Sequence, residues 1–575
     1  MLFTDLTRFF EKLEATRSRN AMTELLAVLL ARAADDEIKE VSYLAEGGLG
    51  PAYNRVEFQL AEKMVVRALA QRAALTPTKV WQWYKQTGDL GLVALRQAQG
   101  KPGQRENLFV VEVYKRLLSI AQESGIGSQD QKVQRLAALL SAVGAIEAKY
   151  VVRIVMGRLR LGFSDKTLLD ALAVMATGSK AGRAELEAAY QVYPDIGQIG
   201  QWVKADGIKA LKRRVRVTLG VPVMSALCQR LKSAEEMIQK MGTVMVEPKF
   251  DGTRVQIHIR RQATGDKRQA WRVKTYTRNL EETTWMFPEL EEVVEKIKAE
   301  AVIIDSEAVG FNLESGRLLP FQETITRKRK HEVAATRGKV PLRFFAFDLL
   351  YLNGQSWLKR PLKERRQQLL KIIGANQMLV VDEAIQTNDP KVLREYHAQQ
   401  LKQGYEGVVV KKVEGEYEPG RRGFNWVKFK EVETAAGKLA DTIDGVVMGF
   451  YRGRGKRTQF GIGAFLVGVR DEAGKVIKTI AKIGTGLTDE QWRELKRRLD
   501  EQVNATQPTT YVVAKNLIPD VWTDPRVVVE IAADEVTRSP VHSAGYALRF
   551  PRLVRFRDDK AVDQATSLKE LLSLR

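Results

Sequence analysis

A single cysteine, Cys228, stands in a chain of 575 residues. One thiol can neither close an internal disulfide nor supply a cysteine-cluster zinc site, so Cys228 is expected to be a small buried apolar residue. Histidine is scarce too: His258, His331, His397 and His542 are scattered, without metal-ligand spacing. That disfavours histidine as the main source of acid–base chemistry. No apolar run approaches the ~20 residues needed to span a bilayer, and the opening Met1-Leu2-Phe3-Thr4-Asp5 lacks a signal-peptide layout. A cytoplasmic protein with no membrane partner is expected. Acid is the minority charge. Against 92 Lys and Arg there are 70 Asp and Glu, leaving a formal net charge of +22 and a pI near 9.7. Such a surplus attracts polyanions. The length suffices for three or four domains.

What is present centres on Lys249, in Glu247-Pro248-Lys249-Phe250-Asp251-Gly252-Thr253-Arg254, between two alternating, strand-like runs. A lysine amine is a nucleophile only where its surroundings free it of its proton, and phosphorus is among its targets. A carboxylate two residues on, a glycine that admits a ligand and a following arginine supply parts for attack on a nucleotide phosphate. The pattern Lys-x-Asp-Gly alone is weak, arising by chance in about one chain in ten of this length. A second copy exists: Lys204-Ala205-Asp206-Gly207 lies among helix-type residues, without flanking alternation. It reads as a helix C-terminus closed by Gly207.

Residues 1–215 carry apolar side chains at three- and four-residue spacing and read as helical. Within them Arg153, Arg158 and Arg160 lie beside Gly157 and Gly162, residues suited to meeting phosphates across a close backbone approach. Residues 216–437 alternate strand-like runs with helical ones, an α+β composition around an antiparallel sheet. Residues 438–575 are β-rich, with five strands and a helix over 489–503, which suits an OB-type barrel. Its basic loop 452–457 is fitted to phosphates.

After Lys249 comes an ordered series: Thr277-Arg278-Asn279, Asp305-Ser306-Glu307, Phe344-Phe345-Ala346-Phe347-Asp348 and Glu406-Gly407-Val408-Val409-Val410-Lys411. Arg421-Arg422-Gly423-Phe424-Asn425-Trp426-Val427-Lys428-Phe429-Lys430 follows, and Leu548-Arg549-Phe550-Pro551-Arg552 opens a closing segment that runs to Lys560. In order and content the series resembles the nucleotidyltransferase motifs of ATP-dependent DNA ligases, archaeal and eukaryotic replicative type, across essentially the whole chain. Ser306 stands where many relatives have glycine. The related NAD-dependent ligases carry a four-cysteine zinc module that one cysteine cannot build.

The resemblance implies an all-helical DNA-binding domain (1–215), an adenylation domain (216–437) and an OB-fold domain (438–575), wrapping nicked duplex DNA in replication, repair and recombination. It implies ATP and Mg²⁺, with Lys249 carrying AMP. Glu247 is expected to accept from the adenine amino group. Arg254, Arg278 and Arg422 are expected at ribose or phosphates, with Arg278 also a clamp for the DNA 5′-phosphate. Lys428 and Lys430 are expected at the α-phosphate, with Lys411 a weaker candidate of that kind. Glu307 and Glu406 are expected to hold the metal, and Phe347 to stack on adenine, although Phe345 shares its strand face. Arg158 and Arg160 are expected on DNA; Arg549 and Arg552 of the last motif are expected at the departing pyrophosphate, through a hinge near 430–440. A monomer is expected, nucleoid-associated in a prokaryote. A sliding clamp is a candidate partner, though no clamp-binding peptide is evident. The rivals are an RNA ligase or mRNA-capping guanylyltransferase, which share the central motifs but not a helical N-terminal domain of this size, and a non-catalytic DNA-binding protein of the same fold.

Overall fold

The computed structural model describes every residue except 17, 101–105, 232, 262–270, 320–323, 325–339, 375–376, 430–440, 454–456, 458–459 and 575, and the side chains of 99 and 100. His331, Lys430, the hinge segment and part of the basic loop lie outside the described residues. The chain divides into two compact units, Met1–Phe429 and Lys430–Arg575.

The first unit begins with helices, from Phe3–Ala15 to Leu211–Arg214. Their apolar stripes make one core. In the Phe3–Ala15 helix, Phe3, Leu6, Phe10 and Leu13 recur at helical spacing and are fully buried. The second Lys-x-Asp-Gly copy ends the Ile196–Asp206 helix, with Gly207 as cap at φ +75°. Lys204 Nζ lies 3.0 Å from the Leu30 and Ala31 carbonyl oxygens and also reaches Ala33. It therefore closes the C-terminus of the Arg19–Arg32 helix, where a cation is favoured.

The remainder of this unit holds two main sheets where the sequence suggested one. Strands β1 (Leu227–Arg230), β2 (Val244–Pro248), β9 (Ile385–Thr387), β10 (Val408–Lys412) and β11 (Arg422–Phe429) form the first, in the order β1-β11-β10-β2-β9. The second contains β3 (Thr253–Arg260), β4 (Val273–Thr277), β5 (Ala301–Gly310), β6 (Leu342–Leu352) and β7 (Gln355–Ser356), in the order β4-β3-β5-β6-β7, with β8 (Leu379–Val381) pairing β6. Helix Leu362–Ile372 packs on β6.

Between the helices and the sheets runs a connector, fastened by one face of β3. Arg254 donates to the Ala226 carbonyl at 2.8 Å, and Gln256 exchanges two bonds with Val223. His258 Nδ1 accepts from the Gly220 amide at 3.1 Å. These three side chains alternate along the strand, so one face meets one stretch of backbone.

The second unit is strand-rich. It contains β12 (Ile443–Arg452), β13 (Ile462–Arg470), β14 (Ile477–Ile483), β15 (Val503–Asn504), β16 (Tyr511–Val512), β17 (Val521–Thr523), β18 (Val528–Ala532), β19 (Glu535–Arg538), β20 (Tyr546–Arg549) and β21 (Arg552–Phe556), with helix Asp489–Asp500. Eight of these strands form one sheet, and β19 and β20 make a separate pair. The sheet curls because β12 pairs β18 through its first half and β17 through its second. A Cβ at Gly449 would lie 2.5 Å from the Val521 carbonyl oxygen, so the close approach demands glycine. The OB-type expectation holds with more than its five strands. Those missed are two to five residues long, too short for alternation to register.

Candidate functional site

Lys249 stands where the chain leaves β2 in one sheet and enters β3 in the other. Its backbone is bracketed by the start of β10: Lys249 N–H donates to Gly407 O at 2.9 Å, and Glu406 N–H to Lys249 O at 3.1 Å. That pairing brings Glu406 Oε2 within 2.6 Å of Lys249 Nζ. Gly252 lets β5 close in, since a Cβ there would lie 2.5 Å from Ala308 O and 3.0 Å from Glu307 Cγ. Glu307 faces Arg254 across β3–β5 and Phe345 across β5–β6. Burial, with help from nearby Asp305 and Glu406, pushes the Glu307 carboxyl up to about 7, against the pull of Lys249 and Arg254. Two carboxylates thus flank the lysine.

Arg254 is more engaged than its expected ribose or phosphate role suggests. Its Nε and one Nη fork onto Asp305 at 3.0 and 2.6 Å, and the other Nη takes the Ala226 carbonyl. Tyr417 also donates to Asp305, at 2.7 Å. Asp305 is fully buried, and the pair holds the guanidinium's pKa above its usual value, against burial. Asp305 and Tyr417 were missed in sequence, although Asp305 shares the strand and face of Glu307 two residues on.

The aromatic pair on β6 separates into two roles. Phe345 stacks on Phe250 at 4.1 Å between ring centres, with Tyr405 edge-on to Phe250. Phe347 has Trp426 edge-on at 5.9 Å and lies under two cations, Lys411 at 4.6 Å and Arg254 at 5.3 Å. Lys411 corrects its assignment. It is 1% exposed, and its Nζ pairs with Glu247 Oε2 at 2.5 Å, so its charge is already engaged by a buried carboxylate. Glu247 itself is 2% exposed; burial, with help from Asp382, pushes its carboxyl up to about 8, against the pull of Lys411 and Arg366. Arg278 is exposed in the turn after β4, and Arg422 is exposed at the start of β11. Lys428 lies half-exposed on β11, opposite Val409. Cys228 is partly buried on β1, less enclosed than expected.

Among the helices, Arg158 and Arg160 are exposed around a small cavity that Tyr84, Gly88 and Gly91 also line. Arg160 takes a left-handed φ of +62°, uncommon for a non-glycine residue, and donates to Gly88 O at 3.2 Å. Arg153 is a correction: it is 4% exposed and forks between Asp89 and Glu14, so it is a core residue. In the second unit every arginine of the last motif has an acid partner. Arg552 pairs with Asp534 at 2.8 Å, Arg549 with Glu535 at 3.6 Å and Arg555 with Glu530 at 2.6 Å. Arg557 pairs with Asp444 at 2.8 Å.

Among the described residues no group of three or more His, Cys, Asp or Glu is arranged to hold a metal, and no helix is long and apolar enough to cross a membrane. Comparison with known proteins points one way. Residues 2–173 match the DNA ligase N terminus, 225–430 the ATP dependent DNA ligase domain and 458–560 the ATP dependent DNA ligase C terminal region. The chain is 41% identical to a probable DNA ligase of Dictyoglomus turgidum over 583 residues, covering 100% of this chain and 97% of the relative. It is 37% identical to DNA ligase 2 of Thermofilum pendens, covering 100% and 97% of the two chains. With DNA ligase 1 of Methanosarcina mazei it shares 35% identity over 100% of both. A solved structure designated Pmar-Lig_PreS3 shares the fold, with a TM-score of 0.55 at 17% identity over 96% of this chain and 99% of that one. A lysine at the crossing of two sheets, with carboxylates on either side and this likeness along the whole length, makes the chain a member of the ATP-dependent DNA ligase family.

Proposed function

We propose that this enzyme seals nicks in duplex DNA through AMP carried on Lys249, and that Lys249 Nζ, 2.6 Å from Glu406, carries the chemistry. The amine loses its proton to solvent and attacks the α-phosphorus of ATP. A P–N bond forms, the bond to the bridging oxygen breaks, and pyrophosphate leaves. The AMP then passes to the 5′-phosphate of the nick, as the P–N bond exchanges for a P–O bond. Last, the 3′-hydroxyl attacks that phosphorus and AMP departs. Each step moves negative charge among phosphoryl oxygens, so cations and oriented donors carry the stabilisation. Arg278, Arg422, Lys428 and Lys430 fill that role in this reading, with Phe347 against the adenine face and Glu247 at its edge. Arg254 acts as a brace between Asp305 and the Ala226 carbonyl.

The donor set suits Mg²⁺, which commonly takes one or two carboxylates and completes its shell with phosphate oxygens and water. Glu307 and Glu406 would hold it, and a cation beside Glu307 would offset the desolvation that raises its pKa. Bound there, the ion would neutralise phosphate charge. We place the domain boundaries at 215 and 437. Arg158 and Arg160 bind DNA in this reading, and Arg549 and Arg552 meet pyrophosphate. The expected setting is a cytoplasmic, nucleoid-associated monomer acting in replication, repair and recombination, with a sliding clamp as a candidate partner. No finding favours the RNA-ligase or capping alternative. Intact mass after incubation with ATP and Mg²⁺ tests the reading: an added AMP that moves to nicked duplex is expected, and protein that never gains the adduct refutes it.

A further inference from the structure

Two residues outside every motif stand behind the adenine-edge position. Arg366 lies on the Leu362–Ile372 helix, and Asp382 follows β8, its amide bonded to Ala346 O of β6 at 3.0 Å. Glu247 Oε2 is taken by Lys411, but Oε1 is buried and makes no hydrogen bond. Arg366 Nη1 stops 3.6 Å from Oε1. It reaches instead to Asp382 Oδ1 at 2.6 Å, while Nη2 donates to the Asp382 carbonyl oxygen. That leaves Oε1 with a long ion pair to Arg366 and the neighbouring Asp382 carboxyl, and the arginine is the natural group to satisfy it more fully. Both of its Nη atoms are instead taken by Asp382, through the side chain and the backbone carbonyl.

We infer that Asp382 is a specificity-determining positioning residue: by holding Arg366 away from Glu247, it keeps Oε1 open to accept from the 6-amino group of the purine. The inference rests on the reading above that Glu247 meets the adenine edge. A 6-oxo purine offers an acceptor where Oε1 needs a donor, so two acceptors would face each other and the nucleotide is rejected. Lys411 ties this edge to the ring-stacking face. Its Nζ also donates to Phe347 O at 3.1 Å and lies 4.6 Å from the Phe347 ring centre. Two carboxyl groups and two cations share this enclosure. Removing the Asp382 side chain frees the Nη1 donor that Oδ1 now holds, which lets Arg366 move onto Oε1 and turns guanidinium donors toward the base. Burial raises the Asp382 carboxyl's pKa, against the pull of Arg366, Lys411 and a hydrogen bond with Glu247.

The test compares covalent nucleotidylation by ATP with that by inosine 5′-triphosphate, which differs at the purine 6-position. Asp382→Ala should lower the ATP-to-inosine ratio of kcat/KM by about tenfold, the scale of one hydrogen bond to a charged acceptor, mainly through KM. Adding Arg366→Met should restore the ratio, because nothing then competes for Oε1. Arg366→Met alone should keep the ratio within about threefold of the parent, which keeps the idea testable if Asp382→Ala fails to fold. A loss that falls equally on both nucleotides in Asp382→Ala, or a ratio that collapses in Arg366→Met, overturns the inference. Glu247→Gln separates the two layers. If it abolishes discrimination while Asp382→Ala does not, only the role of Asp382 fails; if it leaves discrimination intact, the placement of Glu247 at the base fails as well.

Discussion

The chain writes Lys-x-Asp-Gly twice, and the two copies differ in everything but spelling. Lys204 ends a helix and spends its charge on carbonyl oxygens of another helix terminus, while Gly207 turns at φ +75° with open space where a Cβ would be. Lys249 lies between two sheets, its charge meets a carboxylate, and Gly252 is pressed by the backbone of a neighbouring strand. In one copy the glycine is there for its dihedral angle, in the other for its missing volume. Four letters fix neither role; the periodicity around them does.

The sharpest way to break this contrast is to remove each lysine. Lys249→Ala should lower covalent AMP labelling by about a thousandfold or more and leave nicked-DNA affinity within about tenfold. Lys204→Met should label at the parental rate and lose about 1 kcal/mol of stability in a denaturant titration. Labelling that survives Lys249→Ala, or vanishes with Lys204→Met, would reverse the assignments.

The glycines give the next largest effect. Gly252→Ala drives a methyl group against Ala308 O and Glu307 Cγ, which should displace Glu307 and cost about a hundredfold in single-turnover adenylation. Gly207→Ala meets nothing within 4 Å but holds φ +75° and ψ 169°, a region essentially reserved for glycine, and should cost about 1–3 kcal/mol of stability with adenylation unchanged. Equal kinetic losses in the two variants would defeat the distinction.

The connector between the copies offers a pH test. An unfolded histidine binds its proton near pH 6.5, whereas burial and the charge of Lys274 hold His258 down at about 3. Acid therefore favours the unfolded chain. The stability present above pH 6.5 declines as pH falls, by about 2 kcal/mol at pH 5, and stops declining below about 3. His258→Gln removes the titration, so urea unfolding should show a shallower fall between pH 7 and 5 than in the parent. Parallel profiles would mean the connector is not fastened by a neutral imidazole.

Much of this architecture was legible. Helical spacing announced the N-terminal helices, because every turn presents the same apolar face. Strand alternation placed β2, β3, β5 and β6. Order along the chain gathered Lys249, Glu307, Phe347, Glu406 and Lys428 onto the two sheets that meet at Lys249. What was hidden lies in pairings across distant segments. Nothing local tells Arg254 that Asp305 will take its fork, or Lys411 that Glu247 will, because partner choice depends on which strands become neighbours. One signal was available. Leu362, Arg365, Leu369 and Ile372 share a helical stripe, so a charged residue amid leucines forecasts a buried arginine, and Arg365 is indeed fully enclosed against Asp348.

The arginines of the last motif enter already married to aspartates and glutamates. A phosphate arriving there meets dipoles, not bare charge, and each contact it gains must dissolve an older one. Divorce and remarriage nearly cancel in energy, so this segment should grip no polyanion strongly at random and should let go as readily as it engages. In the proposed reading, such indifference suits a surface that meets pyrophosphate and must release it on every turnover.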